Sequence, residues 1–356
     1  MSLDLNQLLK DMVEKNASDL HLGVGTVPHM RVDERLVPIG EEILDQHSSK
    51  DLIYSILTGE NRARFERDKE LDFAFSREKL GRFRVNVFWQ RGYVGAAIRA
   101  LPFKIMSFEE CGLPIRVVEG FCRKPKGLVL VTGATGSGKS TTLASMVNWI
   151  NQRRDCHIIT VEDPIEYVHS NKKAIVDQRE VGSDTLSFAG ALKHVLREDP
   201  DVILIGEMRD LETIEAALVI AETGHLVFAT LHTSDSVQSM NRIIDVFPAR
   251  QQPQVRAQLS FILLGILSQQ LIPDSSGKGR VLAVEILTAN HAIKSQIRES
   301  KIHQIYSAIQ TGQKEGMQTM NQSLFELYLK GAISKEEALG RTTELQDLER
   351  MFKEKK

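Results

Sequence analysis

The first third of the chain alternates apolar and polar residues, with apolar side chains near every second position. This alternation is clearest in residues 17–22 (ASDLHL), 29–37 (HMRVDERLV) and 81–102 (GRFRVNVFWQRGYVGAAIRALP). It predicts strands that bury one face. The opening residues MSLDLNQLLKDMVEK instead place leucines at helical spacing and predict an amphipathic helix. We therefore predict a small mixed α/β domain over residues 1–100.

From Gly127 onward the pattern changes to continuous apolar segments separated by helical stretches. The predicted strands are residues 128–132, 157–161, 202–205, 226–230 and 281–287. Strands alternating with helices in this way are typical of a parallel sheet. The end of the chain predicts helices, because Leu324, Leu327 and Tyr328 form a stripe that stops at Gly331. Ser334, three residues before a glutamate, predicts a capping box for the next helix.

Residues 101–115 separate the two patterns and contain Pro102, Gly112 and Pro114. Proline and glycine spaced in this way are typical of an interdomain connection. We predict an N-terminal α+β domain over residues 1–100, a linker over 101–115, and an α/β domain with C-terminal helices over 116–356.

Composition narrows the class of protein. The chain has 356 residues, a net charge of −2 and 42% hydrophobic residues, which favours a globular protein of one or two domains over a nucleic-acid binder or a disordered chain. Cys111, Cys122 and Cys156 lack C-x-x-C spacing and indicate neither a disulfide framework nor a zinc site. The most apolar run, residues 261–267, is far shorter than the ~20 residues of a transmembrane helix. We expect a cytoplasmic protein without a transmembrane segment.

A phosphate-binding loop follows the first predicted strand of the second domain. Its residues are Gly133, Ala134, Thr135, Gly136, Ser137, Gly138, Lys139, Ser140 and Thr141. They match G-x-x-x-x-G-K-[ST] between a strand and a helix, the context in which backbone N–H groups surround phosphates. Lys139 is expected at the β- and γ-phosphates of ATP, and the Ser140 hydroxyl at Mg²⁺. A dinucleotide fingerprint is disfavoured because Thr141 stands where its third glycine would be.

Two later segments place acids after predicted strands. Residues 159–167 contain Glu162, Asp163 and Glu166, and Glu207 follows the apolar residues 202–205. An acid after a strand is more often a turn residue or a helix cap than a catalyst, but beside a phosphate-binding loop it predicts hydrolysis. One carboxylate would orient or deprotonate water, and another would hold Mg²⁺ through its water shell.

His225 and His232 lie on either side of the predicted strand 226–230. A lone histidine is usually structural, but one at the carboxyl end of a parallel strand can contact a phosphate. We predict His232 as a γ-phosphate sensor and retain His225 as a second candidate.

Four motifs in this order resemble those of the secretion ATPase superfamily: GATGSGKST, ITVEDPIEY, LREDPDVILIGEMRDLETI and AETGHLVFATLHT. The segments ASDLHL, RFRVN, YSAIQTG and GMQTMNQSL narrow the resemblance to the PilT-like retraction ATPases of the type IV pilus. The resemblance implies a PAS-like N-terminal domain, a RecA-like ATPase domain, a cytoplasmic homo-hexamer, and work delivered to a pilus platform protein of the inner membrane. A paralogous retraction ATPase is a further expected partner, and nucleic acid is not.

The same resemblance implies roles for individual residues. Glu166 would be the general base, Glu207 the Walker B acid that holds Mg²⁺ through water, and His232 the phosphate sensor. Arg84 and Arg99 would be arginine fingers. A guanidinium suits that role because phosphoryl transfer develops negative charge, although a strand arginine is more often a solvated surface residue.

Two departures from the family's sequence pattern bear on whether this protein retracts or assembles a pilus. Residues 292–299 read AIKSQIRE where the retraction motif reads AIRNLIRE, so Ser295 and Gln296 replace Asn and Leu. This leaves open an accessory retraction ATPase. Residues 271–280 lack the four-cysteine insert common in pilus-assembly and type II secretion ATPases, which favours retraction over assembly. A non-hydrolysing nucleotide-dependent regulator and a nucleic-acid translocase remain alternatives from other classes.

Overall fold

The computed structural model describes residues 3–32, 35–78, 80–101, 104–277 and 279–354. The chain divides into two compact units, residues 1–104 with 166–168, and residues 105–165 with 169–356. Each unit contains one β-sheet. No helix within the described ranges has the length and apolar character needed to cross a membrane.

The first unit has a six-stranded antiparallel sheet in the order β3-β2-β1-β6-β5-β4. Its strands are β1 (Asp19–Leu22), β2 (His29–Val32), β3 (Arg35–Pro38), β4 (Glu70–Arg77), β5 (Gly81–Gln90) and β6 (Tyr93–Ala100), and its helices are α1 (Leu5–Glu14), α2 (Gln46–Tyr54) and α3 (Gly59–Asp68). Helix α1 begins after Asp4, whose carboxylate accepts from the Asn6 N–H, and buries Leu5, Leu8 and Met12. The predicted amphipathic helix is confirmed.

The second unit has a seven-stranded sheet in the order β13-β12-β7-β11-β10-β8-β9. Its strands are β7 (Gly127–Thr132), β8 (His157–Glu162), β9 (Ile175–Glu180), β10 (Val202–Ile205), β11 (Leu226–Leu231), β12 (Leu263–Pro273) and β13 (Arg280–Thr288). Strands β12, β7, β11, β10, β8 and β9 are parallel, and β13 is antiparallel to β12. The α/β fold with a largely parallel sheet is therefore confirmed.

Helices cover both faces of this sheet. They are α4 (Ile115–Cys122), α5 (Lys139–Arg153), α6 (Phe188–Val195), α7 (Leu211–Glu222), α8 (Ser236–Asp245), α9 (Gln252–Ile262), α10 (His291–Arg298) and α11 (Ile305–Thr311), with 3₁₀ turns at Ile302–Gln304 and Gln313–Glu315. Side chains of α4 and α5 share one core with one face, and those of α6–α11 share a second core with the other face. The central strands β7, β10 and β11 are buried on both faces along their whole length, as continuous apolar segments predict.

The sequence prediction was wrong at one edge of the sheet, where it treated residues 281–287 as a further parallel strand. The connection between β12 and β13 covers only residues 274–279. A parallel crossover needs about a dozen residues or more, so β13 turns back on β12 as a hairpin.

The chain ends in three helices, α12 (Met320–Leu329), α13 (Lys335–Arg341) and α14 (Leu345–Glu354). They share a small core that includes Leu324 and Leu348, together with Ile272 at the end of β12. Ser334 caps α13, since its hydroxyl accepts from the Glu337 N–H at 3.1 Å. The Glu337 carboxylate instead accepts from the Arg341 Nε at 2.9 Å, so only one half of the predicted capping box is formed.

Candidate nucleotide-binding site

The predicted phosphate-binding loop connects β7 to α5. Gly133, Gly136 and Gly138 have φ angles of +140°, +80° and +89°, a region that favours glycine. Helix α5 starts at Lys139 without a side-chain hydrogen bond at its cap, Gly138. The N-terminus of α5, with the positive end of the helix dipole, lies at this loop and favours an anion there. The Lys139 ammonium donates to the carbonyls of Gly133 and Ala134 at 2.7 and 3.1 Å.

The loop offers an unsatisfied hydroxyl to a phosphate and is itself packed tightly against β12. The Ser137 hydroxyl is buried and has no hydrogen-bond partner within the described residues, so an added acceptor would satisfy it. A Cβ at Gly133 would lie 2.5 Å from the Ser137 Oγ and 2.4 Å from the Gln269 carbonyl oxygen. The loop is thus held too tightly against β12 for any side chain at position 133.

Gln269 was not predicted as part of the site. It is 1% exposed, and its Nε2 donates to the Thr142 Oγ1 on α5 at 2.8 Å. It therefore fixes the helix that follows the loop as well as the loop itself. No local signal marks it, because β12 pairs with β7 across more than one hundred residues of chain.

The predicted Walker B acid and phosphate sensor meet beside this loop's edge of the sheet. Glu207 follows β10 and His232 follows β11, two parallel neighbours that end at the same edge as β7. The His232 Nε2 lies 3.2 Å from the Glu207 Oε1, and the Arg209 Nε donates to the same oxygen at 2.7 Å. Burial acts to raise the pKa of Glu207, but the Arg209 and His232 side chains outweigh it and lower that pKa overall. Glu207 is therefore held as a carboxylate.

Arg209 is a further residue that the sequence reasoning missed. Its ion pair with Glu207 raises the pKa of the guanidinium, and its side chain remains 72% exposed. Its only local signal was its position two residues after the predicted acid.

The acids that follow β8 have different surroundings. The Glu162 Oε1 accepts from the Thr160 hydroxyl at 2.7 Å and from the Gln178 Nε2 at 3.2 Å, so this carboxylate is engaged in local bonds. Glu166 is exposed and belongs to the short segment 166–168 that clusters with the first unit.

His225 lies at the opposite edge of the sheet from the phosphate-binding loop. It precedes β11, and its Nδ1 is 3.1 Å from the Ile220 carbonyl oxygen and 3.2 Å from the Thr223 hydroxyl. Six residues of strand, about 20 Å, separate it from His232. The structure therefore does not bring His225 to this loop within one chain.

Arg84 and Arg99 lie in the first unit as directly paired residues of β5 and β6. Like charges in such positions are destabilising. Asp19 offsets this repulsion, because its Oδ1 accepts from the Arg99 Nε at 2.8 Å. The Arg99 side chain is nevertheless 64% exposed, so both arginines present charge at the surface of the unit.

Comparison with known proteins places this geometry in a family. Residues 1–340 match the model of the type II/IV secretion system protein family. The chain is 49% identical over 336 residues to the type IV pilus retractation ATPase PilT of Pseudomonas aeruginosa, covering 94% of this chain and 97% of that protein. It is 47% identical over 311 residues to a twitching motility protein of Neisseria gonorrhoeae, covering 87% and 83%.

A solved structure agrees with these similarities. The crystal structure of the pilus retraction motor PilT with bound ADP superposes with a TM-score of 0.93 at 51% identity, covering 98% of this chain and all of that chain. With its phosphate-binding loop, its Glu207–His232 pair and this match along nearly its whole length, the chain belongs to the type II/IV secretion system protein family.

Proposed function

We propose that this protein is a hexameric ATPase motor that hydrolyses ATP to ADP and phosphate and drives retraction of the type IV pilus. The observation that carries the proposal is the juxtaposition of a complete phosphate-binding loop with His232 and the Glu207 carboxylate at one sheet edge. Relatives at 49% and 47% identity are named for pilus retraction and twitching motility, which supports pilus retraction as the work performed.

The residues of the loop bind and orient the triphosphate. Lys139 exchanges its two carbonyl partners for the β- and γ-phosphate oxygens, and the buried Ser137 hydroxyl gains an acceptor. The Ser140 hydroxyl, in the first turn of α5, and Glu207, through water, would hold Mg²⁺. When bound, Mg²⁺ neutralises charge on the phosphate oxygens. The oxygen donors and the carboxylate near the loop suit this hard cation.

Hydrolysis transfers the γ-phosphoryl group to water. Glu166 accepts a proton from the attacking water. The water oxygen bonds to the γ-phosphorus, and the bond between that phosphorus and the oxygen that leaves with ADP breaks. His232 reports the presence of the γ-phosphate to Glu207, its partner at 3.2 Å. Arg84 and Arg99 meet the negative charge that develops on the transferred group.

Pilus retraction requires that the energy of hydrolysis reach a partner. We propose that six copies form a ring at the cytoplasmic face of the inner membrane and act on the pilus platform protein, with a paralogous retraction ATPase as an additional partner. The altered motif AIKSQIRE forms α10, where Ile293 and Ile297 are buried and Arg298 and Glu299 are exposed. Helix α10 thus keeps the apolar face and the charged end of the family's retraction motif, which supports pilus retraction as the work of this protein.

Turnover and solution mass of the full chain test the proposal. We expect Lys139→Ala to weaken ATP binding and Glu166→Gln to bind ATP without cleaving it, each lowering kcat at least about a hundredfold. Lys193→Ala and Glu215→Gln, which change exposed residues of α6 and α7, are the matched controls and retain the natural rate. A monomer that binds ATP without turnover would instead indicate a regulator.

Deletion phenotypes separate the kinds of pilus motor. Loss of retraction gives cells that keep their pili but do not twitch, whereas loss of an assembly ATPase gives cells without pili. If deletion changes twitching only in a strain that also lacks another retraction ATPase, the protein is an accessory motor. Salt-sensitive binding to DNA would favour a translocase.

A further inference from the structure

Glu180, the last residue of β9, is an acid that no step above uses. Only 4% of it is exposed. Its Oε2 accepts a hydrogen bond from the Ile165 N–H at 3.0 Å, and its Oε1 accepts from the Ser183 hydroxyl at 3.3 Å. Ile165 is itself buried and directly precedes Glu166. The carboxylate of Glu180 is therefore bonded to the backbone beside the proposed general base.

The loop between β8 and β9 is anchored again on the other side of Glu166. The Gln178 Oε1 accepts from the His169 N–H at 2.7 Å. Gln178 and Glu180 are two residues apart on β9 and so point to the same side of the sheet. These two side chains hold the loop at Ile165 and His169, four residues apart, and leave the intervening residues to present the exposed Glu166 side chain.

An exposed carboxylate on a loop needs such support to act as a base. The base must lie within hydrogen-bond reach of the attacking water, and an error of about 1 Å can lower the rate roughly a hundredfold. Resting on the proposed role of Glu166, we propose that Glu180 is a positioning residue that holds the backbone of the base for hydrolysis. It acts through the Ile165 N–H and contacts neither nucleotide nor water.

A matched control separates positioning from general support of the loop. Asn151, 1% exposed, accepts from the Lys172 N–H at 3.0 Å and donates to the Ser170 carbonyl at 2.8 Å. It is thus a buried polar side chain that braces the same loop beyond Glu166. If loop stability alone mattered, removal of either side chain would affect turnover alike.

The experiment measures kcat and KM for ATP, ADP affinity and the melting temperature of the full-length protein. We expect Glu180→Ala to lower kcat about tenfold to a hundredfold, with KM and ADP affinity within about twofold of the natural values. Asn151→Ala should lower the melting temperature by a similar amount but keep kcat within about twofold. Equal kcat losses in the two variants would overturn the proposal.

Two conservative variants keep the test decisive if Glu180→Ala does not fold. Glu180→Gln retains an oxygen that reaches the Ile165 N–H but loses the charge, and Glu180→Asp retains the charge but is one methylene too short. If Glu180 positions the backbone of the base, Glu180→Gln should keep a kcat close to that of the wild type, and Glu180→Asp should have a lower kcat. The reverse order would show that charge, not reach, matters and would refute the inference.

A double-mutant cycle distinguishes this inference from the assignment of the base. If Glu180 acts through Glu166, adding Glu180→Ala to Glu166→Gln lowers kcat by no more than about twofold further. Full additivity would refute the positioning role while leaving Glu166 as the base. A Glu166→Gln protein with natural turnover beside a slow Glu180→Ala would refute both the base and the positioning role.

Discussion

Replacement of Gly133 by alanine tests the geometry of the phosphate-binding loop most directly. The added Cβ would lie 2.4 Å from the Gln269 carbonyl oxygen, and φ at this position is +140°. Because that oxygen belongs to the backbone of β12, it cannot rotate away as a side chain would. Relief of the overlap therefore requires the loop to move by roughly 1 Å, a displacement sufficient to disrupt a preorganised site.

The magnitude follows from two separate effects. A non-glycine residue in this φ region costs about 1–3 kcal/mol, and overpacking against a rigid neighbour costs about 1–3 kcal/mol more. We expect Gly133→Ala to lower the free energy of unfolding by about 2–6 kcal/mol and ADP affinity at least about tenfold. Gly136→Ala is the internal control, because Gly136 has φ of +80° but an added Cβ there would meet no atom of the described residues within 4 Å. It should lose only about 1–2 kcal/mol.

Denaturant unfolding and ADP titration of both variants provide the assay. Both positions have a positive φ, so the stability that Gly133→Ala loses beyond Gly136→Ala reports the collision with β12 together with the stronger preference for glycine at φ +140°. If Gly133→Ala bound ADP as tightly as the natural protein and lost no more stability than Gly136→Ala, the close packing of this loop against β12 would be disproved.

Two further predictions concern stability. Burial, with a smaller contribution from Lys172, lowers the pKa of His169 to about 4. As the pH drops, the unfolded state therefore binds a proton before the folded state does. The free energy of unfolding should fall between about pH 6.5 and pH 4, by at most about 3 kcal/mol. His169→Phe should show a smaller fall in pH-dependent denaturation, and an unchanged slope would contradict a buried neutral imidazole. Thr319 is fully buried and forms a capping box with Gln322 at the start of α12. In urea unfolding, Thr319→Ala should lower the free energy of unfolding by about 1 kcal/mol, and Thr319→Ser by much less. Equal losses in the two variants would show that the hydroxyl contributes nothing.

Local features were predictable because their causes lie within a few residues of chain. The phosphate-binding loop needs its glycines, Lys139 and the strand and helix that flank it, and all are contiguous. The same holds for α1, whose apolar spacing determines its buried face, and for the cap at Ser334. His232 lies 3.2 Å from Glu207, because parallel strands end at one edge, and its role as a phosphate sensor stays a prediction.

The sequence by itself therefore identified a phosphate-binding loop, the carboxylates that follow predicted strands, and an α/β fold. Only the tertiary structure decided which groups meet. Strand order and pairing determine the direction of β13, the contacts of Gln269 with the loop and with α5, the ion pair of Arg209, and the hydrogen bond from the Ile165 N–H to Glu180. Such contacts join residues far apart in the chain or depend on side-chain direction, and neither is encoded in a local pattern of polarity.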